Sequence, residues 1–382
     1  SLFLLLSLFV FGMAFLVDRT VLNPNFITSE LNKLEIAPLV EEFIAQQLPQ
    51  EFPEELKDEL TATISKLEPQ LKEEVHTAVY SVYDYLLGKQ ETPDLAKILR
   101  GTFLSSDFIV SVIDELDINS LAKPIIQEQL IDIIPAEMQV SHQGLDDYLE
   151  ELLVDLEPWI KEQARTIVDP IAGYLVGETE SFSVTISTEP AVDKLKDTLT
   201  KETLESISPQ FAGMSSTIVE GMFDQLIKEI PASLEIDENM IGKDLPAQIA
   251  SSLAEAEATL VQPREIIGYF QLGYILLIVF IILLIAGIVL IHREVKGTTR
   301  NLGITFLVFG AVELAVILIA KHFASDQLGE VMLEVPTQLQ LWVHQLLDDL
   351  VTPILILCGG FVIIGIALVV VSFVYKRSEY VY

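Results

Sequence analysis

Two apolar runs, Ile266–Ile291 and Leu302–Ala320, flank the polar turn HREVKGTTRN, and this hairpin constrains every other part of the chain. A helix rises about 1.5 Å per residue and the hydrocarbon core of a bilayer is about 30 Å thick, so each run is long enough to span it. The turn holds Arg293, Lys296 and Arg300 against Glu294, and short basic loops stay on the cytoplasmic side.

The remaining topology follows from that turn. Leu302–Ala320 leads outward, and the exterior segment 321–352 carries Asp326, Glu330, Glu334, Asp348 and Asp349 against Lys321. The run 353–375 then returns to a cytoplasmic tail, 376–382, that begins with Lys376 and Arg377. In the other direction, Asp18–Glu265 is expected to be exported and Leu2–Val17 to carry it across. This first run is read as a retained anchor; a cleaved signal peptide is the rival, since Gly12 and Ala14 loosely fit a small-x-small site. The expected class is a mostly α membrane protein at the cell membrane, with four transmembrane helices, a large exported helical domain and a minor β element.

Charge is divided unevenly. Of 56 acidic and 23 basic side chains, Asp18–Glu265 holds 48 and 17, nearly the whole of the net −33. Such a surface repels nucleic acid and anionic headgroups and favours cations or basic partners, although solubility alone also explains it. The single cysteine, Cys358, lies in the last apolar run, which excludes a disulfide framework.

The exported region contains a repeated unit, about 25–101 and about 107–199, followed by a helical remainder, 200–265. Phe26–Leu48 and Phe108–Leu130 align without gaps with 9 identities in 23 positions, where ordinary composition gives roughly one or two. Leu67–Gly88 and Leu156–Gly177 share 10 of 22 in the same order. The second block of each unit has helical spacing: Leu67, Leu71, Val75, Ala78, Val79, Val82 and Leu86 fall on one face, as do Leu156, Ile160, Ala164, Ile167, Val168, Ile171 and Leu175. Pro69 and Pro158 suit helix starts and Gly88 and Gly177 suit helix ends. Two equivalent stripes are expected to pack on each other.

Between these blocks, Pro49–Leu60 and Ile133–Leu149 read as loop-rich insertions. Ser181–Thr188 alternates polar and apolar residues as a strand that needs a partner, with a hairpin one solution. Ser215–Ile230 and Leu245–Leu260 read as amphipathic helices, and Pro263 with Arg264 marks the approach to the membrane. Thr337–Leu350 is a further amphipathic helix, in which Trp342 suits an interface.

Candidate chemistry is sparse. Glu313 lies near the middle of the third apolar run, where an ionised carboxylate costs at least a few kcal/mol. It is either a proton or cation relay, a contact for a basic subunit, or a neutral carboxyl bonded between helices. His344 with Asp348, and His142 with Asp146 and Asp147, are thin ligand sets that solvated helix faces explain. The cluster Asp114, Glu115 and Asp117 lacks the glycine and ligand alternation of an EF-hand. HExxH, CxxC, G-x-S-x-G and phosphate-loop motifs are absent, so no cofactor, metal or catalytic residue is expected. Gly310, Gly359, Gly360 and Gly365 leave grooves for close helix contact or for homo-oligomers.

The TVLNPNF connector (Thr20–Phe26) and the RNLGI start of the third run (Arg300–Ile304), with the order of anchor, polar domain and terminal hairpin, resemble a loose group of bacterial integral membrane proteins. The resemblance implies architecture and no activity. The leading expectation is a noncatalytic scaffold or accessory subunit with a protein partner, embedded in membrane lipids and binding no nucleic acid. The rivals are a carrier whose two stripes enclose a lipid or other hydrophobic ligand, and a small oligomeric transporter or channel built on Glu313.

Overall fold

A computed structural model describes residues 1–39, 54–120, 141–198, 200–208, 230–292, 295–331 and 337–374, together with 42, 122, 123 and 126. In chain order the elements are α1 (Leu2–Arg19), α2 (Pro24–Lys33), α3 (Glu54–Leu86), α4 (Leu95–Gly101), α5 (Ser106–Glu115), α6 (His142–Leu175), β1 (Ser183–Ser187), α7 (Glu189–Thr198), α8 (Lys201–Ile207), β2 (Ser233–Asp237), α9 (Glu238–Ile241), α10 (Leu245–His292), α11 (Val295–Val331) and α12 (Thr337–Val374). The chain is mostly α, and α1, α10, α11 and α12 are long and apolar enough to cross a bilayer, the signature of a multi-pass membrane protein. It divides into two compact units. The first comprises Ser1–Leu39, Val75–Pro93 and Glu257–Tyr382, and the second Val40–Glu74 and Asp94–Ala256.

In the first unit, α11 and α12 form the most extensive helix pair, and α1 packs on both. Glycine sets their approach. A Cβ on Gly310 would lie 2.7 Å from the Cys358 carbonyl oxygen, and one on Gly365 would lie 2.8 Å from the carbonyl oxygen of Gly303. Small residues let backbones approach this closely, which is how helices associate where surrounding lipid removes the hydrophobic driving force. Gly359 and Gly360, expected to act likewise, face open space; Gly12 and Gly303 act in their stead. Leu4, Leu8, Ile281, Leu302 and Phe309 form one buried cluster, and Ile317, Val351, Ile354 and Cys358 a second. Phe361 meets Phe306 and Phe309 edge-on, with ring centres 5.1 and 5.0 Å apart.

In the second unit, α6 is covered by α5, α7, α8 and β1. Three fully buried leucines near its start, Leu145, Leu149 and Leu153, repeat every fourth residue on one face. Gly144 admits α8, since a Cβ there would overlap the Ser206 carbonyl oxygen, and the Ser141 amide donates to the Ile207 carbonyl at 2.7 Å. The strand finds its partner far along the chain: β1 pairs antiparallel with β2 in the register Val184↔Ile236 and Ile186↔Leu234, so the element is not a hairpin.

Several boundaries differ from expectation for one reason. Pro69 and Pro158, read as helix starts, are interior to α3 and α6, and Pro263 and Pro353 are interior to α10 and α12. Each removes one intrahelical hydrogen bond, a local loss that the packed turns on either side outweigh. Residues 54–60 and 142–149, expected as loop, are therefore helical, as is 295–301 of the polar turn. Both expected glycine caps form. Gly88 and Gly177 adopt φ of +76° and +77°, and in each the following amide reaches back five residues, Lys89 to Asp84 and Glu178 to Gly173, both at 2.8 Å. The expected helix Ser215–Ile230 falls outside the described residues except at its end.

Candidate functional site

The first unit concentrates its polar contacts beyond the apolar runs. The Arg264 guanidinium on α10 donates to the carbonyls of Glu91 at 2.6 Å and Gln90 at 2.8 Å, while its face lies 4.4 Å from the centre of the Tyr85 ring. The fork geometry of arginine allows all three contacts at once. Nearby, Tyr83 donates to the Val21 carbonyl at 2.6 Å and Tyr80 to the Asn25 side chain, tying the end of α3 to the connector before α2.

A second polar group joins α2 to α12. Lys33 donates to Glu30 at 2.7 Å and to Asp349 at 2.6 Å, and the Trp342 indole donates to the Glu30 carbonyl at 2.7 Å. The hydrogen bond to Asp349, then that to Glu30, raises the Lys33 pKa above its usual 10.5. Trp342 thus has an internal partner for the donor that an interfacial indole needs. Lys321 pairs with Asp348 at 2.8 Å, while His344 is exposed, so Asp348 serves an interhelix ion pair.

Glu313 lies where α1, α11 and α12 meet. It is 3% exposed, and its Oε1 has no hydrogen-bond partner among the described residues. Gly12 makes the room: a Cβ there would stand 2.9 Å from Glu313 Oε1, 3.3 Å from Ile354 and 3.4 Å from Phe309.

A partly open cleft of about 210 Å³ lies among α1, α10, α11 and α12. Leu8 and Phe11 on α1, Ile281 and Ile285 on α10, Phe306 on α11 and Phe361 on α12 line it, all of them apolar.

The other acidic candidates have structural partners. Asp114 pairs with Arg165, and its carbonyl accepts from Lys161 at 2.8 Å; Glu115 lies 4.0 Å from Lys66. Asp117 caps its own turn, accepting from the Ser120 amide at 3.1 Å and hydroxyl at 2.8 Å, and its carboxyl is held below the usual range by these bonds in spite of burial. Asp146 is half-buried and Asp147 exposed, while the His142 side chain falls outside the described residues. Among the described residues no group of three or more His, Cys, Asp or Glu side chains is placed to hold a metal. Of the basic residues that set the expected topology, Lys296 and Arg300 are exposed on the first turns of α11; Arg293, Lys376 and Arg377 fall outside the described residues.

The contacts of Arg264, Tyr85 and Lys33 had little sequence signal. A cation at the edge of an apolar run and an aromatic-rich helix end, YSVYDYLLG, are the only hints, and neither names its partner. Compared with protein-family models, curated proteins and solved structures, the chain matches none of them.

Proposed function

We propose that the chain is a noncatalytic scaffold or accessory subunit of the cell membrane, which holds an acidic extracytoplasmic domain, Asp18–Glu265, as a binding surface for a basic partner. The observation that carries this reading is the division of charge: 48 acidic against 17 basic side chains in that region, with Arg293, Lys296, Arg300, Lys376 and Arg377 confined to the turn and tail. Basic residues hold short segments in the cytoplasm and an acidic field attracts cationic surfaces. The contacts of Arg264 and Lys33 add to it, because they fix α2 and the end of α3 against the ends of the long apolar helices.

The domain itself is read as a tandem duplication. What supports this, beside the aligned identities, is that α3 and α6 have 33 and 34 residues and close on the same left-handed glycine cap.

The test is cross-linking in intact cells, followed by affinity capture. A partner that cross-links to Asp18–Glu265 through its own lysines, with a yield that falls as the ionic strength during cross-linking rises, supports the proposal. Partners that link only to the apolar helices overturn it. An impermeant amine reagent applied from outside should modify the middle of the chain and spare Lys296 and Lys376; the reverse pattern removes the topology on which the proposal stands.

A further inference from the structure

The cleft among the apolar helices and the cations at the start of α11 are related along one helix axis. Phe306 follows Arg300 by six residues on α11, an axial distance of about 9 Å, and Ile285 precedes His292 by seven on α10, about 10 Å. Counted from Val295, where α11 begins, Phe306 lies about 16 Å along the axis, so Lys296 and Arg300 both lie between the polar turn and the cleft. Lys296 and Arg300 are exposed on the first turns of α11, and neither pairs with a carboxylate among the described residues.

Each part selects for a chemistry. An apolar cavity of about 150 Å³ in a soluble protein stays dry and accepts a small hydrocarbon. A cleft of about 210 Å³ with Leu8 at 1% and Ile281 at 8% exposure has the same lining, and a bilayer supplies hydrocarbon chains to fill it. The cations add a headgroup preference, since basic residues at the membrane surface attract anionic lipid and basic pockets between transmembrane helices bind phosphate headgroups. From this juxtaposition we infer that the chain binds one anionic phospholipid, an acyl chain seated between Phe306, Phe361 and Ile281 and the phosphate held by Arg300 and Lys296. The site is independent of what the acidic domain binds.

Native mass spectrometry of the intact chain in mild detergent tests this, with phosphatidylglycerol and phosphatidylcholine of identical acyl chains as probes. One phosphatidylglycerol should remain bound at collision energies that strip phosphatidylcholine. Its population should fall about tenfold in the double variant Lys296→Gln/Arg300→Gln, and by a similar factor in Ile282→Trp, which crowds the cleft from an exposed lining position. Both variants alter exposed side chains, and unchanged far-ultraviolet circular dichroism removes misfolding from the comparison. Equal retention of the two lipids overturns the inference. So does a loss confined to the charge variant, which reduces the feature to surface attraction, or a loss confined to Ile282→Trp, which leaves an apolar site without headgroup selection.

Discussion

Arg264 stacks on Tyr85, its guanidinium 4.4 Å from the ring centre, and from that position donates to the two carbonyls, Gln90 and Glu91, that follow the glycine turn of α3. Lysine cannot reproduce this, because an ammonium lacks both the planar face and the fork. Charged hydrogen bonds contribute about 1.5–3 kcal/mol each and the ring contact about 0.5–1 kcal/mol where solvent reaches it. Arg264→Lys should therefore lower stability by about 1–2 kcal/mol and Arg264→Ala by more. Thermal midpoints in detergent measure the loss, and faster amide exchange across 87–93 locates it. Equal midpoints for wild type and Arg264→Ala would show that the contact is dispensable.

Lys33 has a defined pH window. Its partners raise the folded pKa above 10.5, so the paired ammonium stabilises the fold in full below that value, and the contribution disappears as pH rises through the folded pKa. The stability difference between wild type and Lys33→Gln should accordingly stay flat through neutral pH and shrink only in strong alkali. Parallel denaturation of the two proteins from about pH 7 to pH 11 checks this. A difference that shrinks near neutrality would assign the dependence to another group.

The apolar helices were legible because length and composition suffice to identify them, and Gly88 and Gly177 because a left-handed cap has few substitutes. Their starts were not. Pro69, Pro158 and Pro353 carry a local signal for a boundary, and tertiary packing over the preceding turns overrides it. The partner of β1 was hidden by distance in sequence, since Ser233–Asp237 is too short to announce itself. At the candidate site Glu313 stood out as a carboxylate in an apolar run, whereas Gly12, which makes room for it, signalled only a loose small-x-small pattern and not a contact. Contacts such as Lys33 with Asp349, 316 positions apart, have no local pattern at all.

Two glycines on α11 and α12 give opposite expectations for one substitution. A methyl group on Gly310 meets the Cys358 carbonyl oxygen at 2.7 Å and the Val362 amide nitrogen at 3.1 Å, backbone atoms that cannot turn aside; a methyl on Gly359 meets nothing within 4 Å. Overpacking of this kind costs about 1–3 kcal/mol. Gly310→Ala should lower the thermal midpoint clearly, while Gly359→Ala should leave it unchanged or raise it slightly by improving helix propensity. Comparable losses in both would mean that α11 and α12 do not meet as described.

Glu313 separates a stabilising carboxyl from one that the fold tolerates. Its Oε1 is buried without a partner among the described residues, an arrangement that costs about 1–3 kcal/mol for a polar group, and an apolar side chain of similar length would recover it. Glu313→Met should therefore raise the thermal midpoint in detergent while leaving the contact with Gly12 intact. Glu313→Gln should stay close to wild type, since it keeps a polar atom in the same place. A higher midpoint for Glu313→Met means that the carboxyl is retained at a cost, which is what a relay or a subunit contact would require. A lower one means that it holds α1 against α11 and α12, and the relay reading then has nothing left to explain.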